Sequence, residues 1–153
     1  LSLLGVVGLA IVAIGAWWAY RTLTDLRGKA DEARRRAESA MRMRWLMVAV
    51  HEHHEKAGQF PASLEELRPW FQAGAGRGQL QAAHQMLKQA GVNSFEDVLE
   101  NPLTGEQQGY EYVAPAARTS LPDDRDDTPV IFQLRAGRRA DDLPAARLDG
   151  GVR

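Results

Sequence analysis

The chain has 153 residues, enough for one ordinary domain and too few for two. Hydrophobic residues make up 44% and charged residues 25%, so wholesale disorder is excluded, and a net charge of −1 without a basic patch argues against nucleic acid as a partner. The absence of cysteine removes disulfides, thiolate metal sites and Cys nucleophiles together.

Residues 1–20, LSLLGVVGLAIVAIGAWWAY, carry no charged side chain. Twenty helical residues span about 30 Å, the hydrocarbon thickness of a bilayer. Trp17, Trp18 and Tyr20 then fall at the headgroup level, where amphipathic rings prefer to lie. No basic residues open the segment and no small-residue cleavage site closes it, so it is expected to remain as an anchor rather than be cleaved. With Leu rather than Met at position 1, a preceding stretch is expected to have been removed.

Residues 21–56 hold nine Lys/Arg against six Asp/Glu, contain no proline, and have Gly28 as their one helix-weakening residue. Asp25 with Lys29, Asp31 with Arg35, Glu32 with Arg36 and Glu38 with Arg42 stand four apart, each exposed pair contributing about 0.2–0.5 kcal/mol. Leu23, Leu26, Ala30, Ala33, Ala37, Ala40, Arg44 and Met47 follow a 3-4 spacing, apolar in seven of eight places. Such a stripe reads as a helix–helix assembly seam in which alanine lets another helix approach closely. Gly58 and Pro61 are expected to end the helix. At about 1.5 Å per residue it would run roughly 85 Å, first in lipid, then as a stalk over 21–57, its last turns lying on a domain.

Residues 58–153 read as a small α+β head. Ser63 to Glu66 fits a capping box opening a helix through about Phe71, 79–90 reads as a helix closed by Gly91, and Ser94 caps a short helix over 95–100. Tyr110–Val113, Val130–Leu134 and Ala145–Leu148 read as strands. The expected fold class is α+β: a long N-terminal helix packed on short helices and an antiparallel sheet of about three strands.

Several segments together resemble the type IV pilin and type II secretion pseudopilin superfamily. These are the uncharged N-terminal segment, the long helix, the phrase Gly58-Gln-Phe-Pro-Ala-Ser-Leu-Glu-Glu-Leu67, and Asn101-Pro-Leu-Thr-Gly105 followed by Tyr110-Glu-Tyr112. Leu148-Asp-Gly-Gly-Val152 is similar to the ending of some pseudopilin-like proteins, with glycine in place of histidine. The family commonly has glutamate at the fifth mature position, where this chain has Gly5. The resemblance implies a structural, non-enzymatic filament subunit whose partners are copies of itself or other pilin-like subunits. It implies single-pass insertion in a bacterial inner membrane with the head periplasmic, or extracellular in a filament. The basic flank after residue 20 would by itself favour a cytoplasmic stalk. A permanently anchored binding module with a dimeric coiled-coil stalk is the alternative.

Two clusters bear on metal. His51, His54 and Glu55 stand at helical spacings that suit zinc, but His51-Glu52-x-x-Glu55 lacks the second histidine of a zincin. Asp123, Asp124, Asp126 and Asp127 supply oxygen ligands for calcium, and several pseudopilins hold calcium in a loop of this region. A solvated loop is the blander reading, and Asp141 and Asp142 complete a site only if the fold brings them near. The stretch 74–78 lacks the Gly-Lys-Ser/Thr of a phosphate loop, and His84 is expected at a surface or boundary.

Overall fold

The computed structural model describes residues 3–73, 78–115 and 129–148. Their fold class is α+β, with one long N-terminal helix, short helices and a small antiparallel sheet of four strands. Helix α1 runs Leu3–Ala57. It ends where Gly58 enters the left-handed region at φ +75°, its N–H donating to the His54 carbonyl at 2.9 Å.

The chain divides into two compact units, Leu1–Arg35 and Arg36–Arg153. In the first, every described side chain from Val6 to Arg35 is exposed. The second is the head, and it takes in the last turns of α1, so its border falls at 35/36 rather than at the 57/58 suggested by the helix stop signal.

Within the head, α1 is the centrepiece of the core. Met43, Leu46 and Val50 are buried on one side, and Trp45 and Ala49 on the next. With Met47, also buried, these positions cover about 200° at 100° per residue, just over half of the helix circumference. Trp45, fully buried, meets Phe71 at 5.6 Å and Phe95 at 6.2 Å between ring centroids, both edge-on. Those two rings come from α2 (Arg68–Gln72) and α4 (Phe95–Leu99). Helix α3 (Gln79–Gln89) adds Leu80 and Leu87.

Local signals explain most of these elements. Ser94 and Asp97 form a complete capping box, the Ser94 Oγ accepting from Asp97 N and the Asp97 carboxylate from Ser94 N, both at 3.1 Å. The same pattern fails at Ser63, which makes no side-chain cap bond and opens a 3-10 turn, Leu64–Leu67, running directly into α2. Glu66 accepts instead from the Ala62 N–H at 3.2 Å.

The sheet comprises β1 (Tyr110–Tyr112), β2 (Pro129–Arg135), β3 (Arg138–Arg139) and β4 (Ala146–Arg147). Strand β2 is central: Ile131 pairs with Tyr112 of β1 on one side and Ala146 of β4 on the other. The strand β3, unforeseen in the sequence, follows a two-residue hairpin turn with Ala136 at φ 52° and Gly137 at φ 71°.

Gly109, just ahead of β1, is pressed against Asn101. A Cβ built there would lie 2.3 Å from Asn101 Cβ and 2.8 Å from Asn101 N. Gly109 also donates to the Leu99 carbonyl at 2.9 Å and accepts from Leu134 N at 2.8 Å, so it cannot easily retreat. Gly109→Ala is therefore expected to destabilise the protein by about 1–3 kcal/mol through overpacking, read as a lowered Tm. An unchanged Tm would show that the 101–109 segment yields freely.

Candidate functional site

Two features of α1 carry functional weight: an apolar surface that its own chain leaves uncovered, and a polar seat that fixes the helix in the head.

In the first unit, Leu9, Val12, Trp18 and Tyr20 are each more than 60% exposed. By length and composition this part of α1 suffices to cross a membrane. The interface residues named from sequence, Trp17, Trp18 and Tyr20, lie together at its end, with the two indoles edge to face and the Arg21 guanidinium 5.4 Å from the Trp17 ring centre. Thr22 and Thr24 return their hydroxyls to the carbonyls of Trp18 and Arg21, each at 2.8 Å. Both hydroxyls are thus satisfied within the helix, which suits a region bordering lipid.

The assembly seam divides on inspection. Leu23, Leu26, Ala30, Ala33 and Ala37 are exposed, and Ala40 is half-buried. Met47 is 1% exposed and belongs to the head core, so it is not available to a partner. The 3-4 spacing that includes it is equally the spacing by which a helix packs on its own domain.

The seat was not legible as a site in the sequence. Ser39 Oγ donates to Gln133 Oε1 at 2.8 Å, and Asn101 Nδ2 donates to the same oxygen at 2.9 Å. Since the Ser39 proton is engaged, the Tyr110 hydroxyl, 2.9 Å away, must donate to Ser39 Oγ. Gln133 Nε2 donates to the Pro144 carbonyl at 2.9 Å. Asn101 Oδ1 accepts from Leu103 N at 2.9 Å, closing the Asn101-Pro-Leu-Thr-Gly105 turn, and Gly105 sits at φ +77°. Burial pushes the Tyr110 phenol up to about 12, partly opposed by its Ser39 bond, which keeps it a donor. One glutamine thus joins α1, the 101–105 turn and the segment leading into β4. The available signal was Gln133 on the same face of an apolar strand as Ile131.

The zinc candidates are not brought together. His51 Nε2 lies 2.9 Å from the Leu148 carbonyl, His54 stacks on Phe60 with centroids 4.1 Å apart, and Glu55 is exposed. Each imidazole is engaged by a different part of the head. Among the described residues no group of three His, Asp or Glu side chains is arranged to hold a metal ion. The calcium candidates Asp123, Asp124, Asp126 and Asp127 lie outside the described residues, as do 149–152 and 74–77. Asp142 is held by Arg135 Nη1 at 3.1 Å through both oxygens. His84, expected near the surface, is buried with its ring 5.0 Å from that of Phe71.

Burial is the main cause that lowers the pKa of both His51 and His84, with the His54 charge acting on the first and Lys88 on the second; the Leu148 carbonyl and Glu55 oppose the shift at His51. The folded state therefore resists protonation, while the unfolded state takes a proton near the ordinary value of 6.5. Stability is full above that value and is lost as pH falls through it. Tm is expected to decline between the histidine and carboxylate ranges, and the decline to be shallower in His51→Gln/His84→Leu. An equal slope in that variant would contradict the assignment.

Comparison of the chain with family models, with curated proteins and with solved structures yields no match.

Proposed function

We propose that this protein is a structural subunit of a pilin- or pseudopilin-like filament, held in a bacterial inner membrane by the apolar turns of α1 until it assembles. The observation that carries this reading is a single helix with two apolar destinations. Its described side chains are exposed from Val6 through Leu26, and between Met43 and Val50 its apolar side chains enter the core of the head. A helix meets all its interior backbone hydrogen bonds within itself, so its apolar turns can leave lipid for a bundle of neighbouring helices without breaking any. Between lipid and such a bundle the hydrophobic gain is small, and close packing at small residues drives the exchange. Gly5 deprives the segment of the carboxylate usual in the resembling family, so assembly rests on that packing, as suits a minor or specialised subunit. The turn at 101–105 and the Tyr110–Tyr112 strand that follows it support the same reading.

Because the chain has no cysteine, introduced thiols report contacts without background. Val6→Cys and Ile14→Cys placed in one full-length chain stand about 12 Å apart along the helix. A filament contact joins different faces of successive subunits and repeats without closing, whereas a symmetric dimer closes on itself. Oxidation in membranes is expected to give a ladder of products beyond the dimer. Products that stop at the dimer would favour the permanently anchored module, and monomer alone would overturn both readings.

A further inference from the structure

The first charged side chains after the apolar turns of α1 fall within a narrow layer. Beyond a hydrocarbon core of about 30 Å, each headgroup layer of a bilayer adds only about 5–7 Å. At about 1.5 Å per residue, the Arg21 backbone stands about 1.5 Å past Tyr20 and that of Arg27 about 10 Å past it. Side chains on a helix lean toward its N-terminus, which here is the apolar end. The lean is visible in two of them: the Arg21 guanidinium lies 5.4 Å from the centre of the Trp17 ring, and Lys29 reaches back to Asp25 at 3.2 Å. The same lean of one turn, about 5.4 Å, would bring the Arg27 guanidinium down into the headgroup layer.

These two cations lack a carboxylate of their own. Residues 21–29 hold Arg21, Arg27 and Lys29 against Asp25, and Asp25 is taken by Lys29. Arg21 lies against an indole face, and among the described residues Arg27 forms no ion pair. The next acids, Asp31 and Glu32, stand about 16 and 18 Å past Tyr20, beyond the headgroups even after leaning back. At 100° per residue Arg21 shares the side of Trp17, and Arg27 shares the side of Tyr20. Each arginine is thus aligned with an amphipathic ring nearer the lipid, on sides of the helix about 120° apart. A ring at the glycerol level with a guanidinium outside it matches the build of a phospholipid. The guanidinium fork fits two phosphate oxygens at once. A zwitterionic headgroup brings its own ammonium, which the arginine repels; an anionic one does not.

We propose that Arg21 and Arg27 each hold the phosphate of an anionic phospholipid, so that the anchor gathers such lipids where it leaves the bilayer. This rests on the membrane insertion in the reading above and names the class of lipid the inserted helix selects.

The test reads indole quenching by brominated lipids in vesicles that hold the full-length protein. The bromine is carried by phosphatidylglycerol or by phosphatidylcholine in an otherwise identical mixture of the two. Trp17 and Trp18 report on the Arg21 side, over a head background common to all variants. Trp17→Phe/Trp18→Phe/Tyr20→Trp moves the reporter to the Arg27 side. Brominated phosphatidylglycerol is expected to quench as though enriched about two- to fivefold around each reporter. Arg21→Gln should bring the first ratio to one and Arg27→Gln the second, each leaving the other high. Arg21→Lys, which keeps the charge, should retain most of the first ratio, and added salt should lower both. Equal quenching by the two lipids in the unaltered protein would overturn the proposal and leave the membrane anchor standing. Ratios that survive both glutamine substitutions would overturn it as well. No quenching by either lipid would remove the anchor together with the proposal.

Discussion

A single backbone helix has to be apolar toward two different surroundings, and the rest of the structure follows from that constraint. From Met43 to Val50 the head wraps α1 around more than half of its circumference, with Trp45 fully buried at the meeting of two short helices. Strands of two to seven residues and helices of five to eleven cannot enclose much apolar surface by themselves. The long helix supplies the wall they pack on. Among the described residues, the leucines, valines and tryptophans of α1 from Val6 to Leu26 are exposed.

Apolar packing holds α1 in the head through Trp45, Met43 and Leu46. The Ser39–Gln133–Asn101 seat adds direction-dependent bonds that fix the same register. Its main hydrogen bonds run at 2.8–2.9 Å, and a displacement of the helix would strand them out of water. Gly109 is part of the same device, because its missing side chain lets Asn101 reach Gln133.

Much of this was legible residue by residue. The uncharged run to Tyr20, the proline-free helix, the stop at Gly58 and the Ser94 cap each have a local physical cause, and local causes show in sequence. What escaped reading depended on distant partners. Ser63 resembles a capping residue, but Glu66 turned to Ala62 and the turn tightened to 3-10. Strand β3 follows Ala136 in the left-handed region, a conformation alanine rarely signals, with its N–H held by Glu106 at 2.6 Å. Of the seam residues, Leu23, Leu26, Ala30, Ala33 and Ala37 are exposed, while Met47 went into the head core, because spacing cannot say which surface covers a face. The histidine cluster misled for a related reason: helical proximity does not decide whether side chains converge or are drawn off by Leu148 and Phe60.

The most direct test of a helix serving two interiors is a scan of solvent access along it. Single cysteines placed in turn from Val6 to Leu26 of the full-length protein, spin-labelled and reconstituted in lipid vesicles, report collisions with dissolved oxygen and with a water-soluble relaxation agent. Labels up to Tyr20 are expected to be shielded from the aqueous agent, whether lipid or neighbouring helices cover them. Aqueous access should rise sharply once the chain passes Arg21. Uniform aqueous access from Val6 to Leu26 would contradict the reading, because it would place the apolar turns of α1 in water.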